Sequence, residues 1–183
     1  MKEKSIDQLN VLIVEDDRHM RMLIRNVLFA LGVHDVVEAK DGKVAIEEMK
    51  AFRPDLVLVD LKMEPLNGLE FVRQLRSDAA NPHRFVPVIM ITAHADLDTV
   101  AMARDVGITE FMAKPISASA IEQRIHRVLK DVRRFVEAPK FAGPDRRRGK
   151  QGGFGGKDRR EIPPKFLDPP DDVPAPPSPE TEN

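Results

Sequence analysis

Acidic residues collect where strongly apolar stretches of the sequence stop. The run Val11–Val14 leads directly into Glu15, Asp16 and Asp17, and a second run, "LVLVD", ends in Asp60. Clustered carboxylates repel one another unless a cation joins them, and oxygen ligands without His or Cys partners suit Mg²⁺. A carboxylate beside such a metal can act as a nucleophile toward phosphorus. These acids therefore predict a magnesium site at which a phosphoryl group is transferred.

A hydroxyl and an amine follow two further apolar runs. Thr92 ends "VIMIT", and Lys114 stands in "FMAKP". The Lys114 ammonium can neutralise phosphoryl oxygens, and the Thr92 hydroxyl can donate a hydrogen bond to one of them. The alternative is that such acids and polar residues are solvated loop residues or caps of the next helix. We favour that alternative for Asp17 alone.

Five short apolar runs alternate with segments of helical periodicity before Ala138. The predicted strands are Val11–Val14, Val36–Ala39, Leu56–Val59, Val88–Ile91 and Phe111–Ala113. Continuous apolar runs are typical of strands buried on both faces of a parallel sheet. The fifth helical stripe continues through Val132 to Phe135. We expect a doubly wound α/β domain with a five-stranded parallel sheet, in which the polar residues converge at the carboxyl ends of the strands.

Composition excludes several other classes of protein. The chain has 183 residues, a formal net charge of −1 and no Cys, so disulfides and thiolate metal sites are impossible. A near-neutral charge gives no general attraction to nucleic acid or membrane. No apolar run is long enough to span a bilayer. We expect a cytoplasmic protein.

The strand-end motifs resemble the receiver domain of two-component response regulators, the CheY-like family. The motifs are "VLIVEDD", "LVLVDLKM", "LNGLE", "VIMITAHA" and "FMAKP", and the resemblance covers Leu9 to Val132. It implies a flavodoxin-like (βα)5 receiver fold. It also implies that Asp60 accepts a phosphoryl group from a histidine kinase or phosphotransfer protein. The implied Mg²⁺ ligands are Glu15, Asp16, Asp60 and the backbone carbonyl of Lys62.

The same resemblance assigns roles to residues away from the acids. It implies that Lys114 assists the chemistry, that Pro115 follows a cis peptide bond, and that Thr92 and Phe111 form a switch. A single-domain response regulator of this kind has no DNA-binding domain and catalyses only its own phosphorylation and dephosphorylation. It acts through a downstream protein target at the face of its fourth helix, fifth strand and fifth helix, for example in chemotaxis or motility. His94, two residues after Thr92, is a candidate modulator of dephosphorylation.

Two enzyme classes fit the sequence poorly. A phosphatase of the haloacid dehalogenase type needs a second Asp two residues after its nucleophile, and Lys62 occupies that place. A dinucleotide-binding dehydrogenase needs G-x-G-x-x-G after its first strand, and the motif is absent.

The chain continues well past the receiver motifs. We predict an N-terminal lead at 1–8, a receiver domain at 9–137, an Arg- and Gly-rich tail at 138–161 and a disordered, acidic, Pro-rich tail at 162–183. "FAGPDRRRG" at Phe141 returns as "FGGKDRREI" at Phe154. Eight basic and three acidic residues between 140 and 161 give a net charge of +5, and one basic and five acidic residues from 162 onward give −4.

The repeated arginines suggest a ligand that presents guanine twice. Paired guanidiniums contact guanine O6/N7 and phosphate oxygens, and an Asp can accept from the guanine N1–H and N2–H₂ edge. The tail resembles the Arg-rich tails of CheY-like effectors of cyclic di-GMP. If the protein is such a cyclic di-GMP effector, its receiver domain mainly docks on a partner. Alternatives are a solvated linker and nonspecific binding of anions or RNA. The candidate nucleotide-binding residues are Asp145, Arg146, Arg147, Asp158, Arg159 and Arg160.

Overall fold

The computed structural model describes residues 4–93, 96–130, 134–138, 141–145 and 165–167. After a short 3-10 helix at Ile6–Gln8, five strands alternate with five α-helices. The strands are β1 Asn10–Val14, β2 Asp35–Ala39, β3 Leu56–Asp60, β4 Val88–Thr92 and β5 Glu110–Ala113. The helices are α1 Arg18–Ala30, α2 Gly42–Glu48, α3 Gly68–Ser77, α4 Leu97–Asp105 and α5 Ala118–Leu129. None of these helices is long and apolar enough to cross a membrane.

The five strands form one parallel sheet in the order β2-β1-β3-β4-β5. This confirms the predicted five-stranded, doubly wound flavodoxin-like fold. β3 and β4 are buried along their whole length, and separate apolar clusters pack on the two faces of the sheet. The chain crosses from β1 to β2 on one side of the sheet and then continues at β3 on the other side of β1, so the direction of the crossovers changes between β1 and β3. In folds of this type the ligand crevice opens at that reversal, beyond the carboxyl ends of the strands.

The fifth helix is shorter than the sequence predicts. We expected its apolar stripe to run to Phe135, but α5 ends at Leu129 and Phe135 begins a strand. The physical reason is a tertiary contact, because the Phe135 ring packs edge-on against Phe85 with 4.7 Å between ring centroids. An apolar side chain at helical spacing therefore has a partner elsewhere, and the predicted extension of the helix is wrong.

A second, smaller sheet follows the receiver motifs. Its strands are β6 Phe135–Ala138, β7 Phe141–Pro144 and β8 Lys165–Leu167, and β6 pairs antiparallel with both neighbours. We predicted no strand in this part of the chain. The expected domain boundary at residue 138 falls within β6, and β8 lies inside the segment predicted to be disordered. Apart from Asp145, the other tail residues lie outside the described part of the chain.

One arginine holds together the base of the domain, at the end of the sheet opposite the carboxyl termini of its strands. Arg76, at the end of α3, is buried, and its guanidinium donates to three backbone carbonyls, those of Arg84, Val86 and Gly107. Burial and the nearby Arg84 guanidinium lower the pKa of Arg76 to about 9. The three carbonyls belong to the α3–β4 and α4–β5 connections. Arg76 therefore fixes two loops relative to one helix.

Arg76→Lys is expected to lower the free energy of unfolding by about 2 kcal/mol or more, because a single ammonium cannot reach all three carbonyls and each unsatisfied buried carbonyl is costly. Urea unfolding followed by circular dichroism measures the change. The matched control is Arg73→Lys on the exposed face of the same helix. The control should change stability by no more than about 0.5 kcal/mol. Equal stabilities of the two variants would contradict this role of Arg76.

Candidate phosphoryl-acceptor site

The predicted acids meet at the carboxyl ends of β1 and β3. Glu15 and Asp16 follow β1, and Asp60 is the last residue of β3. One carboxylate oxygen from each lies within 4.8 Å of the others. Glu15 and Asp60 are buried, whereas Asp16 is exposed. The side-by-side pairing of β1 and β3 brings these residues together across a sequence separation that no local motif spans.

Lys114 lies between the two buried carboxylates. Its Nζ is 2.8 Å from Glu15 Oε2 and 2.7 Å from Asp60 Oδ1. The Lys114 backbone N–H donates to the Thr92 carbonyl at 2.7 Å, and the following bond to Pro115 is cis, as predicted. Burial lowers the pKa of Lys114, but hydrogen bonds to Asp60 and Glu15 raise it by more. The lysine is therefore a fixed positive charge at the site.

The other oxygen of Asp60 is held by backbone. The Lys62 N–H donates to Asp60 Oδ2 at 2.7 Å. The loop after β3 then closes tightly, because a Cβ at Gly68 would lie only 2.2 Å from the Asp60 carbonyl oxygen. Gly68 begins α3, and its N–H donates to the Leu61 carbonyl at 3.0 Å. Only glycine permits this close approach, so Gly68 positions the loop around Asp60.

The site carries more negative than positive charge. Burial raises the pKa of Glu15, and the neighbouring Asp60 carboxylate acts in the same direction, against the hydrogen bond from Lys114. Three carboxylates against one ammonium leave a formal charge of −2. A divalent cation with oxygen ligands would neutralise this excess. The donor set, which consists of carboxylates without His or Cys, fits Mg²⁺.

Asp17 has a different task from its two acidic neighbours. Its Oδ1 accepts from the His19 and Met20 N–H groups at the start of α1, at 2.7 and 2.9 Å. These two hydrogen bonds lower the pKa of Asp17. The prediction that Asp17 is a helix cap, outside the acidic site, is confirmed.

Sequence reasoning missed two residues that position the acids. Arg21 of α1 donates from Nη1 to the carbonyls of Glu15 and Asp16, at 2.6 and 3.0 Å. These hydrogen bonds fix the backbone of the two acidic residues. The other residue is Gly68. Both act on backbone atoms, for which side-chain chemistry in the sequence gives no signal.

Comparison with known proteins identifies the family of this chain. A sequence model for the response regulator receiver domain matches residues 11–126. The chain belongs to the response regulator receiver domain family. The match covers the parallel sheet except Asn10, the first residue of β1, and it covers every residue of the site described above. The receiver site predicted from the strand-end motifs therefore lies inside a recognised receiver domain.

Similar proteins include chemotaxis response regulators. The chain is 31% identical to chemotaxis protein CheY of Pseudomonas aeruginosa over 124 residues, which is 68% of this chain and 98% of that protein. It is 30% identical to CheY-3 of Vibrio cholerae, over 66% of this chain and 91% of that one. The solved structure of Vibrio cholerae CheY4 aligns with a TM-score of 0.60 and 27% identity, over 64% of this chain and 96% of that one.

The two predicted switch residues flank the receiver site from β4 and β5. Thr92 is buried at the end of β4. Phe111 is half-buried in β5, opposite Met90 of β4, and packs against the apolar cluster on that face of the sheet. Their role as a switch stays a prediction. His94, the predicted modulator, lies outside the described residues.

The predicted nucleotide-binding residues are only partly described. Asp145 follows β7, and its N–H donates to the Arg134 carbonyl at 2.8 Å. The other five, Arg146, Arg147, Asp158, Arg159 and Arg160, lie outside the described residues. Phe141, the first residue of the repeat, lies half-buried in β7 with its ring near Gly143.

Proposed function

We propose that this receiver domain is a phosphorylation switch and that Asp60 is its phosphoryl acceptor. The observation that carries the proposal is the environment of the Asp60 carboxylate. Lys114 contacts one oxygen, the Lys62 N–H contacts the other, and two further acids lie within 4.8 Å. An ammonium and an N–H donor stabilise anionic oxygens, and an acidic pair can hold the cation that phosphoryl transfer requires. A histidine kinase or phosphotransfer protein is the donor of the phosphoryl group.

The chemistry is a displacement at phosphorus. A carboxylate oxygen of Asp60 forms a bond to the phosphorus of a phosphohistidine, while the bond from phosphorus to the imidazole nitrogen breaks and its electron pair returns to the donor. Lys114 neutralises negative charge on the phosphoryl oxygens, and the Thr92 hydroxyl donates to one of them. Glu15, Asp16, Asp60 and the Lys62 carbonyl are the proposed Mg²⁺ ligands. When bound, the cation supplies charge neutralisation at the phosphoryl oxygens.

Phosphorylation then changes the surface that partners meet. The new phosphate adds charge and acceptor oxygens beside Thr92 and Lys114. Movement of Thr92 makes room for Phe111, and the change reaches the face formed by α4, β5 and α5. Leu97 and Met102 of α4 are 87% and 51% exposed, which gives a downstream protein an apolar contact. The similar CheY proteins are chemotaxis proteins, which supports a role in chemotaxis or motility.

Asp60→Asn is expected to abolish phosphorylation by acetyl phosphate or a histidine kinase, because an amide oxygen is a far weaker nucleophile than a carboxylate. Intact-mass measurement after incubation with the donor and Mg²⁺ detects the bound phosphate. The matched control is Asp98→Asn at an exposed position of α4, which should accept phosphate like the parent chain. Phosphate on the Asp60→Asn chain at saturating Mg²⁺ would refute the assignment.

Asp16→Ala is expected to remove most of the Mg²⁺-dependent rise in thermal stability, whereas Asp17→Ala should keep it. A cation whose free concentration is 100 times its Kd stabilises the folded chain by about 2.7 kcal/mol. Circular dichroism is the suitable readout, since the chain has no Trp and no Tyr. Loss of the α1 cap lowers the stability of the Asp17→Ala chain by about 1 kcal/mol without metal. The comparison therefore uses the shift on adding Mg²⁺ within each variant. Equal losses of that shift would place Asp17 among the ligands.

A second candidate function concerns the chain between the small-sheet strands. β7 and β8 both pair with β6, and the sequence that joins them, 146–164, contains seven basic and two acidic residues. The described strands therefore hold both ends of this basic sequence. That arrangement favours a defined binding element over a free tail, because closing a loop in advance reduces the entropy lost on binding. We propose cyclic di-GMP as its ligand, bound by the residues around Asp145, Arg147, Asp158 and Arg160.

Calorimetry with the full chain is expected to show binding of cyclic di-GMP and much weaker binding of cyclic di-AMP, because adenine has neither the N1–H nor the N2–H₂ donor that the Asp side chains would accept. Arg147→Ala with Arg160→Ala should abolish binding. Arg124→Ala on α5 is a control that removes a basic residue elsewhere. Equal, salt-sensitive binding of both nucleotides would indicate a nonspecific basic segment instead.

A further inference from the structure

The small C-terminal sheet is packed onto the base of the receiver domain. Phe135 and Val136 of β6 are buried, and the Phe135 ring meets Phe85 of the α3–β4 connection. The Arg84 guanidinium, also buried, contacts Glu137 Oε1 at 2.8 Å. The sheet is therefore a packed part of the domain and has both apolar and ionic contacts with it.

A tight backbone contact joins the sheet to the end of α4. Gly107 follows α4 with a φ of 92°, and a Cβ at this position would lie 2.5 Å from the Ala142 carbonyl oxygen. A Cβ on Gly143 would lie 2.6 Å from the Gly107 Cα. Backbone meets backbone here, with no side chain that could yield. A displacement of the α4 end toward β7 therefore has to displace β7 as well.

α4 packs on the sheet through few and small side chains. It buries only Thr99 and Ala103, whereas α3 buries Phe71, Val72 and Leu75. Its N-cap is Asp96, four residues after Thr92, and its nine residues span about 13 Å. One end of α4 is thus connected to the phosphoryl-acceptor site, and the other end contacts the C-terminal sheet.

The charges at the interface limit how tightly the sheet is held. Two buried guanidiniums, those of Arg76 and Arg84, lie at this interface; Arg84 contacts the Glu137 carboxylate, whereas Arg76 donates to backbone carbonyls. Within the described part of the chain, the Arg84 Nε is buried without a hydrogen-bond partner. Buried charges that are incompletely paired are costly. A modest change at α4 can therefore shift the balance between docked and undocked sheet.

We propose that the C-terminal sheet is an output element of the receiver, which phosphorylation of Asp60 releases through α4. The inference rests on the proposed phosphorylation and adds the element that responds to it. Movement of Thr92 shifts α4, the Gly107–Gly143 contact is lost, and β6 with its two partner strands undocks. Release alters both strands that flank the basic sequence 146–164, so phosphorylation changes the binding properties of that sequence. By thermodynamic linkage, a ligand that favours the docked sheet opposes the phosphorylated conformation.

Hydrogen exchange of the full chain, read by mass spectrometry, tests the proposal. Phosphate on Asp60 is quantified by intact mass in the same sample. On phosphorylation, the β6 and β7 amides are expected to exchange at least about fivefold faster, the lower end of typical coupling between two sites. The β1 and β3 amides should keep their protection. Asp60→Asn treated with the same donor is the matched control, because it lacks the acceptor carboxylate and should keep the β6 and β7 exchange of the untreated chain.

Two further variants weaken docking directly. Gly143→Ala should give fast exchange of β6 with or without phosphate, because its Cβ cannot fit against Gly107. Glu137→Gln removes the ion pair with Arg84 with little change in shape and should act in the same direction more mildly. A phosphorylated parent chain with unchanged β6 exchange would overturn this inference and leave the proposed function standing. A chain that takes up no phosphate at Asp60 would overturn both.

Discussion

The receiver site depends on one ammonium group held between two buried carboxylates. Lys114 comes from the loop after β5, Glu15 from the end of β1 and Asp60 from the end of β3. Buried carboxylates this close would repel each other, and the ammonium makes their proximity tolerable. Two features of the fold place Lys114 there, the order of the strands and the hydrogen bond from Lys114 N–H to the Thr92 carbonyl.

The residues of this site were predictable because each follows an apolar run whose meaning is unambiguous. "LVLVD" is too apolar for a surface strand, so Asp60 had to lie at the end of a buried one, and the same reasoning placed Thr92. Lys62 contributes through its backbone N–H, whereas Gly68 and Arg21 act on backbone atoms of other residues. The sequence alone did not identify Gly68 or Arg21. The end of α5 was predicted wrongly because the spacing of Phe135 fits a helix, whereas its ring packs against Phe85.

The C-terminal sheet was not predictable for a related reason. Its strands have only three or four residues and include Gly143 and Pro144. Neither an alternation of apolar and polar residues nor a high β-propensity therefore marks them in the sequence. What stabilises them is non-local, since β8 pairs with β6 across about thirty residues of sequence. The partners on the receiver are equally inconspicuous, because nothing in the sequence shows that Arg76 and Arg84 turn inward. Tertiary packing overrides weak local preference here.

These two parts of the molecule lie at opposite ends of the parallel sheet, with α4 between them. The similar chemotaxis proteins match only about two thirds of this chain, so the residues that form the small sheet fall largely beyond the shared region. The hydrogen bonds and ion pairs described at the acidic site come from the receiver alone, whereas Phe135 of the extension is buried against Phe85 of the receiver. Such a one-sided dependence is suited to an output element. A folded attachment can report a change in its host only if the host remains intact when the attachment leaves, and the two buried clusters on the faces of the parallel sheet, which contain no residue of β6, β7 or β8, meet that condition.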